Sequence, residues 1–186
     1  SGDGGYMVIT QIDTLPEHQR LRQCALDNGV RVAPEHTSDQ WTLTQLHPGA
    51  LRAAFLELEY DAEENFDGRW NPVGGNGWEP QVKQDVTQDF VGVELQGEEP
   101  EALADLWGRC TDLPVEHDAA GNPTIAFNNV VLRFTAVVDG RGPGLGGLDI
   151  AVANREHILR EAKARNAYVS DDQVNICGTR WYLKDA

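Results

Sequence analysis

The chain has 186 residues, 40% of them hydrophobic and five of them tryptophan, enough to bury a sizeable core as one compact domain or two small ones. Thirty acidic against fifteen basic residues give a net charge of −15, which disfavours nucleic acid and anionic membrane surfaces as partners. No apolar run in the given residues is long enough for a membrane span, and none reads as a signal peptide. Cys24, Cys110 and Cys177 lack disulfide-framework or metal-knuckle spacing, so they read as reduced thiols in a cytoplasmic protein. The chain opens on Ser1-Gly2-Asp3-Gly4-Gly5 rather than on methionine, and residues upstream of Ser1 are expected.

In chain order, Tyr6 to Ile12 reads as a strand. Asp13-Thr14 ahead of Leu15-Pro16 supplies N-cap chemistry for a helix carrying Leu21, Cys24 and Ala25, and Gly29 stops it. His18 beside Glu17, like His157 beside Glu156, reads as an exposed helix face. Val30 to Pro34 and Trp41 to Leu46 are further strands, and His47-Pro48-Gly49 is a turn. Phe55 to Tyr60 returns with Phe55, Glu57 and Glu59 on one face and Leu56, Leu58 and Tyr60 on the other, which leaves Glu57 and Glu59 open to being a solvent-facing acidic pair. Asp61 to Asp89 shows no sustained period and reads as a connector pinned by Trp70 and Trp78, whose stacking on a flat ligand is the functional alternative.

The pattern then repeats. Phe90, Val91, Val93 and Leu95 open a strand, Pro100 starts a helix with Ala102, Leu103, Leu106 and Trp107, His117 leads into a hairpin loop, and Val130 to Val138 closes the copy. Gly142-Pro143-Gly144-Leu145-Gly146-Gly147 satisfies the G-x-G-x-x-G spacing of dinucleotide sites. That motif has to open a helix, whereas Leu148, Ile150 and Val152 alternate like a strand and helix signals resume at Asn154, so the run reads as a glycine-rich loop. Leu159 and Ala162 then lie on a helix, and Ile176 to Leu183 gives the closing strands.

Three β-α-β-β(-β) units follow from this order, and one such unit cannot bury its sheet face alone. The expected fold is α+β, a curved and mostly antiparallel mixed sheet around a cavity with helices outside. Residues 1–61 form an unpaired half-module, 62–89 a linker and 90–186 a paired module.

The unit order, the His47-Pro48 turn followed by Ala53-Ala54-Phe55-Leu56-Glu57-Leu58, and Gly146-Gly147-Leu148-Asp149-Ile150-Ala151-Val152 with Ile176-Cys177-Gly178-Thr179-Arg180-Trp181 resemble the vicinal oxygen chelate superfamily. That superfamily includes glyoxalase I, methylmalonyl-CoA epimerase, extradiol dioxygenases and bleomycin-resistance proteins, and the chain is most similar to bacterial glyoxalase-like domain proteins. The resemblance implies paired βαβββ units curling around a cavity, with a divalent Fe, Mn, Ni or Zn held from the first and last strands of each unit. Matched to this chain, those positions are Tyr6 and Glu57, then Phe90 and Arg133, then Gly147 and Tyr182. No metal is therefore expected in 90–186; Glu57, helped by His47, is the metal-ligand or catalytic candidate. Tyr6, Arg133, Trp181 and Tyr182 are the candidate ligand-binding residues, having the size and polar ends that suit a cavity wall.

Three functions are open on this reading. One is a small-molecule-binding protein with a metal-free cavity between the second and third units. Another is a metal-dependent lyase, isomerase or dioxygenase whose site is completed by an upstream half-module or by a second copy in a homodimer. The last, an NAD-linked enzyme, is disfavoured by the strand that follows the glycine run.

Overall fold

The computed structural model describes residues 3–63, 66 and 77–186; Trp70 lies outside the described residues. The first unit consists of β1 (Met7–Gln11), α1 (Leu15–Asp27), β2 (Val32–Thr37), β3 (Trp41–Leu46), the single turn α2 (Pro48–Leu51) and β4 (Phe55–Asp61). Its four-stranded sheet runs β1-β4-β3-β2, with β1 parallel to β4 and the remaining pairs antiparallel. Thr14 caps α1, its Oγ1 accepting from the Glu17 N–H at 3.3 Å, with Pro16 in the first turn where no N–H is needed. The helix ends at Gly29 (φ +76°), whose left-handed backbone lets the Val30 N–H return to the Ala25 carbonyl at 2.9 Å.

The second unit is β5 (Thr87–Gly97), α3 (Pro100–Thr111), β6 (Glu116–His117), β7 (Pro123–Ala126) and β8 (Val131–Ala136). The third is β9 (Gly144–Val152), α4 (Arg155–Ala164), β10 (Tyr168–Ser170), β11 (Gln173–Ile176) and β12 (Thr179–Asp185). These two share one eight-stranded sheet in the order β10-β11-β12-β9-β5-β8-β7-β6. Each first strand lies parallel to its own last strand, β5 to β8 and β9 to β12, while β5 and β9 join the units antiparallel. The glycine-rich loop is corrected: Gly144 to Gly147 are already part of β9, and since a strand rather than a helix continues from the run, it lacks the strand–turn–helix that a dinucleotide site requires.

Alternation puts the buried apolar side chains of the central strands against the helices. Leu56 and Leu58 of β4, Val93 and Leu95 of β5, and Leu132 and Phe134 of β8 belong to one cluster with Leu21 and Ala25 of α1 and Leu103, Leu106 and Trp107 of α3. The first unit thus sits helix side to helix side on the second. Trp107 is the tie between them: it is fully buried, meets Phe134 edge-on at 6.1 Å, and donates from Nε1 to the Leu51 carbonyl at 3.1 Å. The third unit has a smaller core, Ile150, Val152 and Leu183 with Ile158, Leu159 and Trp181 packed on it. None of the described helices is long and apolar enough to cross a membrane.

Two burial expectations are corrected. His18 is not on an exposed face but 1% exposed, because it shares the buried stripe of Leu21 and Ala25 at i, i+3 and i+7. Its Nε2–H donates to the Leu58 carbonyl at 3.2 Å, while Nδ1 has no hydrogen-bond partner. Glu57 and Glu59 are not a solvent-facing pair either, being 3% and 0% exposed.

Trp107→Ala is expected to cost about 3–5 kcal/mol of unfolding free energy in urea titration, from lost burial and the cavity left behind, and Trp107→Phe about 1–2 kcal/mol with the bond to Leu51 gone. Burial holds the His18 pKa below its ordinary value of 6.5, outweighing the Leu58 carbonyl and nearby Glu35. The unfolded chain then takes up a proton that the folded chain refuses, so stability is intact above about pH 6.5 and declines below it. Between about pH 7 and pH 5, His18→Leu should flatten the fall in urea-unfolding free energy seen for the unmodified protein; an identical slope would show that His18 does not drive it.

Candidate functional site

The face turned away from the helices carries most of the charged side chains, and in the first sheet Ile9, Trp41 and Leu43 as well. In the eight-stranded sheet that face presents Gly92, Glu94 and Gln96 from β5, Arg133 and Thr135 from β8, Gly147, Asp149 and Ala151 from β9, and Arg180, Tyr182 and Lys184 from β12. The register sets Glu94 beside both Arg133 and Gly147, Gly147 beside Arg180, and Asp149 beside Gly92 and Tyr182. Glu94, Asp149 and Arg180 are 5%, 7% and 8% exposed, and charges this far from water have to be paired.

They pair with one another. Arg133 grips Asp149 with both arms of its guanidinium, Nη1 to Oδ2 at 2.8 Å and Nη2 to Oδ1 at 3.1 Å, and Nη2 also donates to Glu94 Oε2 at 3.2 Å. Arg180 donates from Nε and Nη2 to Glu94 Oε1 at 3.0 and 2.6 Å, from Nη2 to Gln96 Oε1 at 2.8 Å, and from Nη1 to Asp139 Oδ2 at 2.6 Å. The Tyr182 hydroxyl donates to Glu94 Oε1 at 3.2 Å and accepts from Arg180 Nε at 3.1 Å. Asp139 is further held by Arg141 (2.6 Å) and Gln96 (2.8 Å). Three guanidinium groups thus face three carboxylates.

Burial opposes the charge on Arg133, but Asp149 and Glu94 outweigh it and hold its pKa above the usual arginine value. Arg180 is raised in the same way by Glu94 and Asp139. Burial, with Glu94 beside it, raises the Tyr182 hydroxyl. The Arg141 guanidinium, helped by Gln96 and Arg180, pulls the Asp139 carboxyl well below the ordinary range.

This donor set does not fit a divalent ion. The carboxylate oxygens point at guanidinium groups, Gly147 has no donor, and Tyr182 is neutral. Among the described residues no group of three or more His, Cys, Asp or Glu side chains is placed to hold a metal.

The first unit differs. On its inner face Glu57 stands between Ile9 of β1 and Gln45 of β3, and Gln45 Nε2 donates to Glu57 Oε2 at 2.6 Å. No described strand pairs with the outer edge of β1. His47 caps α2, its Nδ1 accepting from Gly49 N–H at 3.0 Å and lying 3.3 Å from Arg31 Nη2, with its ring 6.1 Å from Phe55. That nitrogen is committed to the turn.

Of the residues singled out in the sequence, Arg133 and Tyr182 do meet on an inner face, 5.1 Å apart as guanidinium over ring. Trp181 is corrected: it faces the helices, packed on Ile150, Val152 and Leu183, with Nε1 donating to the Ile176 carbonyl at 3.3 Å. Tyr6 is corrected as well. It lies ahead of β1 at 69% exposure and on the side of Val8, and the β1 residue beside Glu57 is Ile9. On β5 the residue facing Arg133 is Glu94, four positions beyond Phe90. Glu94, Asp149, Asp139 and Arg180 were missed, although Glu94 lies between Val93 and Leu95, and Asp149 between Leu148 and Ile150, where alternation directs them inward. An open hollow of about 470 Å³ adjoins the inner face, lined by Gln84, Gln88, Asp89, Val91, Ala151 and Ala186.

No protein-family model and no curated protein matches this sequence. Solved structures do match in fold. The Mn(II)-bound glyoxalase from Novosphingobium aromaticivorans superposes with TM-score 0.61 at 9% identity over 95% of this chain and 61% of that one. BphC, a halotolerant catechol dioxygenase, gives 0.59 at 10% identity over 95% and 66%. A hypothetical protein from Staphylococcus aureus gives 0.55 at 9% over 96% and 64%. The chain therefore spans less than two thirds of the length of these structures.

Removing the cation at the centre of the ion-pair network should be severe. Arg180→Met is expected to destabilise the protein by about 3–5 kcal/mol, because buried Glu94 is left without its main donor and Asp139 loses one of its partners. Arg180→Lys, which keeps the charge but not the planar fork, should recover only part of this in urea unfolding.

Proposed function

We propose that this chain, which has the fold of the vicinal oxygen chelate superfamily, binds a small organic molecule in a sheet-lined cavity, with no metal in the 90–186 module. The carrying observation is the contrast between the two inner faces. In the eight-stranded sheet the charged groups pair with one another, whereas in the first unit Glu57 takes the last-strand position beside a β1 edge that no described strand pairs. Ligand recognition is therefore assigned to the inner face of the first unit, completed across β1 by a further βαβββ unit from an upstream segment or a second copy. The antiparallel β5–β9 pair supplies the geometry for that joint. A bare edge invites such pairing. The described residues carry no disulfide, and their free thiols include the exposed Cys177, which suits the reducing cytoplasm of a bacterium.

A metal-dependent lyase, isomerase or dioxygenase is the second reading, favoured by Glu57 itself. This chain would supply one carboxylate ligand, fixed by Gln45, and the joined unit the rest; a bound divalent ion polarises adjacent substrate oxygens. A thermal-shift screen of small hydroxy-acids, diones and catechols, with and without Mn²⁺, Ni²⁺, Zn²⁺ and Fe²⁺, separates the two. Saturation at about 100 times Kd adds about 2.7 kcal/mol to stability. A shift lost in Glu57→Gln supports the assignment; metal dependence of that shift selects the second reading. A shift kept in Glu57→Gln but lost in Tyr182→Phe would move the ligand to the eight-stranded sheet and overturn it.

A further inference from the structure

We propose that Cys24 and Cys110 form a reversible redox clasp between the first and second units, closing to a disulfide from α1 to α3 when a small disulfide such as oxidised glutathione is present.

The geometry of the joint points to it. Arg20 Nη1 donates to Asp112 Oδ2 at 2.8 Å, and four residues further, on the same face of α1, the Cys24 thiol donates to the Arg109 carbonyl at 2.9 Å. That carbonyl is among the last four of α3, which have no acceptor role inside the helix. The thiol is therefore held at the peptide bond that leads into Cys110. A cysteine sulfur sits about 2.8 Å from its own Cα and a carbonyl oxygen about 2.8 Å from the Cα that follows it, so the two Cα atoms are no more than about 8.5 Å apart. Disulfides span about 4.4 to 6.8 Å between Cα atoms, so an approach of about 2 Å at most closes the bond. The joint lies where α3 ends, at Asp112 in the left-handed region (φ +54°), and a helix end gives more readily than a helix middle.

Exposure sets the order of the chemistry. Cys24 is half-buried and Cys110 fully buried. Burial, with Cys24 beside it, pushes the Cys110 thiol up to about 11, so Cys24 is the sulfur that meets the oxidant. Its thiolate attacks one sulfur of the small disulfide and expels the other as a thiol. Cys110 then loses its proton and attacks Cys24 Sγ, expelling the second small thiol. Two protein thiols are oxidised, one small disulfide is reduced, and the two protons end on the two thiols released. The new bond fastens the unit that carries Glu57 to the module behind it, beside the tie that Trp107 already makes to Leu51. In reducing conditions the Cys24 thiol returns to the Arg109 carbonyl.

The test uses the full chain with Cys177→Ser, so that the exposed third thiol takes no part. Oxidised glutathione should give a single-chain product lighter by two hydrogen atoms, whose non-reducing digest joins the peptides that hold Cys24 and Cys110. Its Tm should rise by about 5 °C or more, and dithiothreitol should return it to the starting value. Adding Cys24→Ser should abolish both changes, and adding Cys110→Ala should stop the reaction at the glutathione adduct on Cys24. Should Cys110→Ala fail to fold, the linked peptide pair in the chain with all three cysteines decides. A lasting adduct on Cys24 without closure, a disulfide between two chains instead, or closure that leaves Tm unchanged or lower would overturn the proposal.

Discussion

Glu94 is the constraint from which the inner face of the eight-stranded sheet follows. A carboxylate at 5% exposure retains its charge only where donors replace the water it has lost. It collects them from both directions across the sheet, Arg133 from its own unit and Arg180 and Tyr182 from the next. Because β5 and β9 are neighbours, one side chain near the seam reaches both units, and each partner it recruits brings another carboxylate, Asp149 with Arg133 and Asp139 with Arg180. The apolar core on the other face holds the helices down, while this polar layer fixes how the two units face each other.

Much of the architecture was legible because the repeat is written in hydrophobic period. The helix starts at Thr14 and Pro100, the strand after Gly147 and the return at Phe55 all carry local chemistry that agrees with the global fold, as consistent sequences do. Individual positions were less legible. A strand's alternation tells which side chains share a face, but a slip along it is invisible without the partner strand. Phe90 was matched where Glu94 stands, and Tyr6 where Ile9 stands, because register is set between strands and not within one.

The site failed to read from sequence for a second reason. Isolated charges between apolar neighbours look like a solvated face, a reading that the sequence alone leaves open for Glu57 beside its candidacy as a ligand, and nothing local marks Asp149. Their burial depends on what crosses the sheet from far along the chain, Arg133 to Asp149 over 16 residues and Arg180 to Glu94 over 86. His18 shows the reverse case, a polar residue whose helical spacing with Leu21 and Ala25 was sufficient to place it inside had the spacing been given priority over its type.

The uneven division of the core bears on how the molecule comes apart. Nineteen of the twenty buried hydrophobic residues of the larger cluster come from the first two units and one, Leu145, from β9, whereas the third unit's own cluster has three. Its attachment to the rest lies chiefly in the β5–β9 ladder and the ion pairs that Arg180, Tyr182 and Asp149 make across it. Cooperative opening follows lines of sparse apolar contact, so the outer part of the third unit, with Ile150, Val152 and Leu183 as its own buried cluster, is expected to open first while Trp107 keeps the first two units closed. The charges along the seam are buried, Glu94, Asp149 and Arg180 at 5–8% exposure, so added salt screens them little and the joint keeps its hold as ionic strength rises.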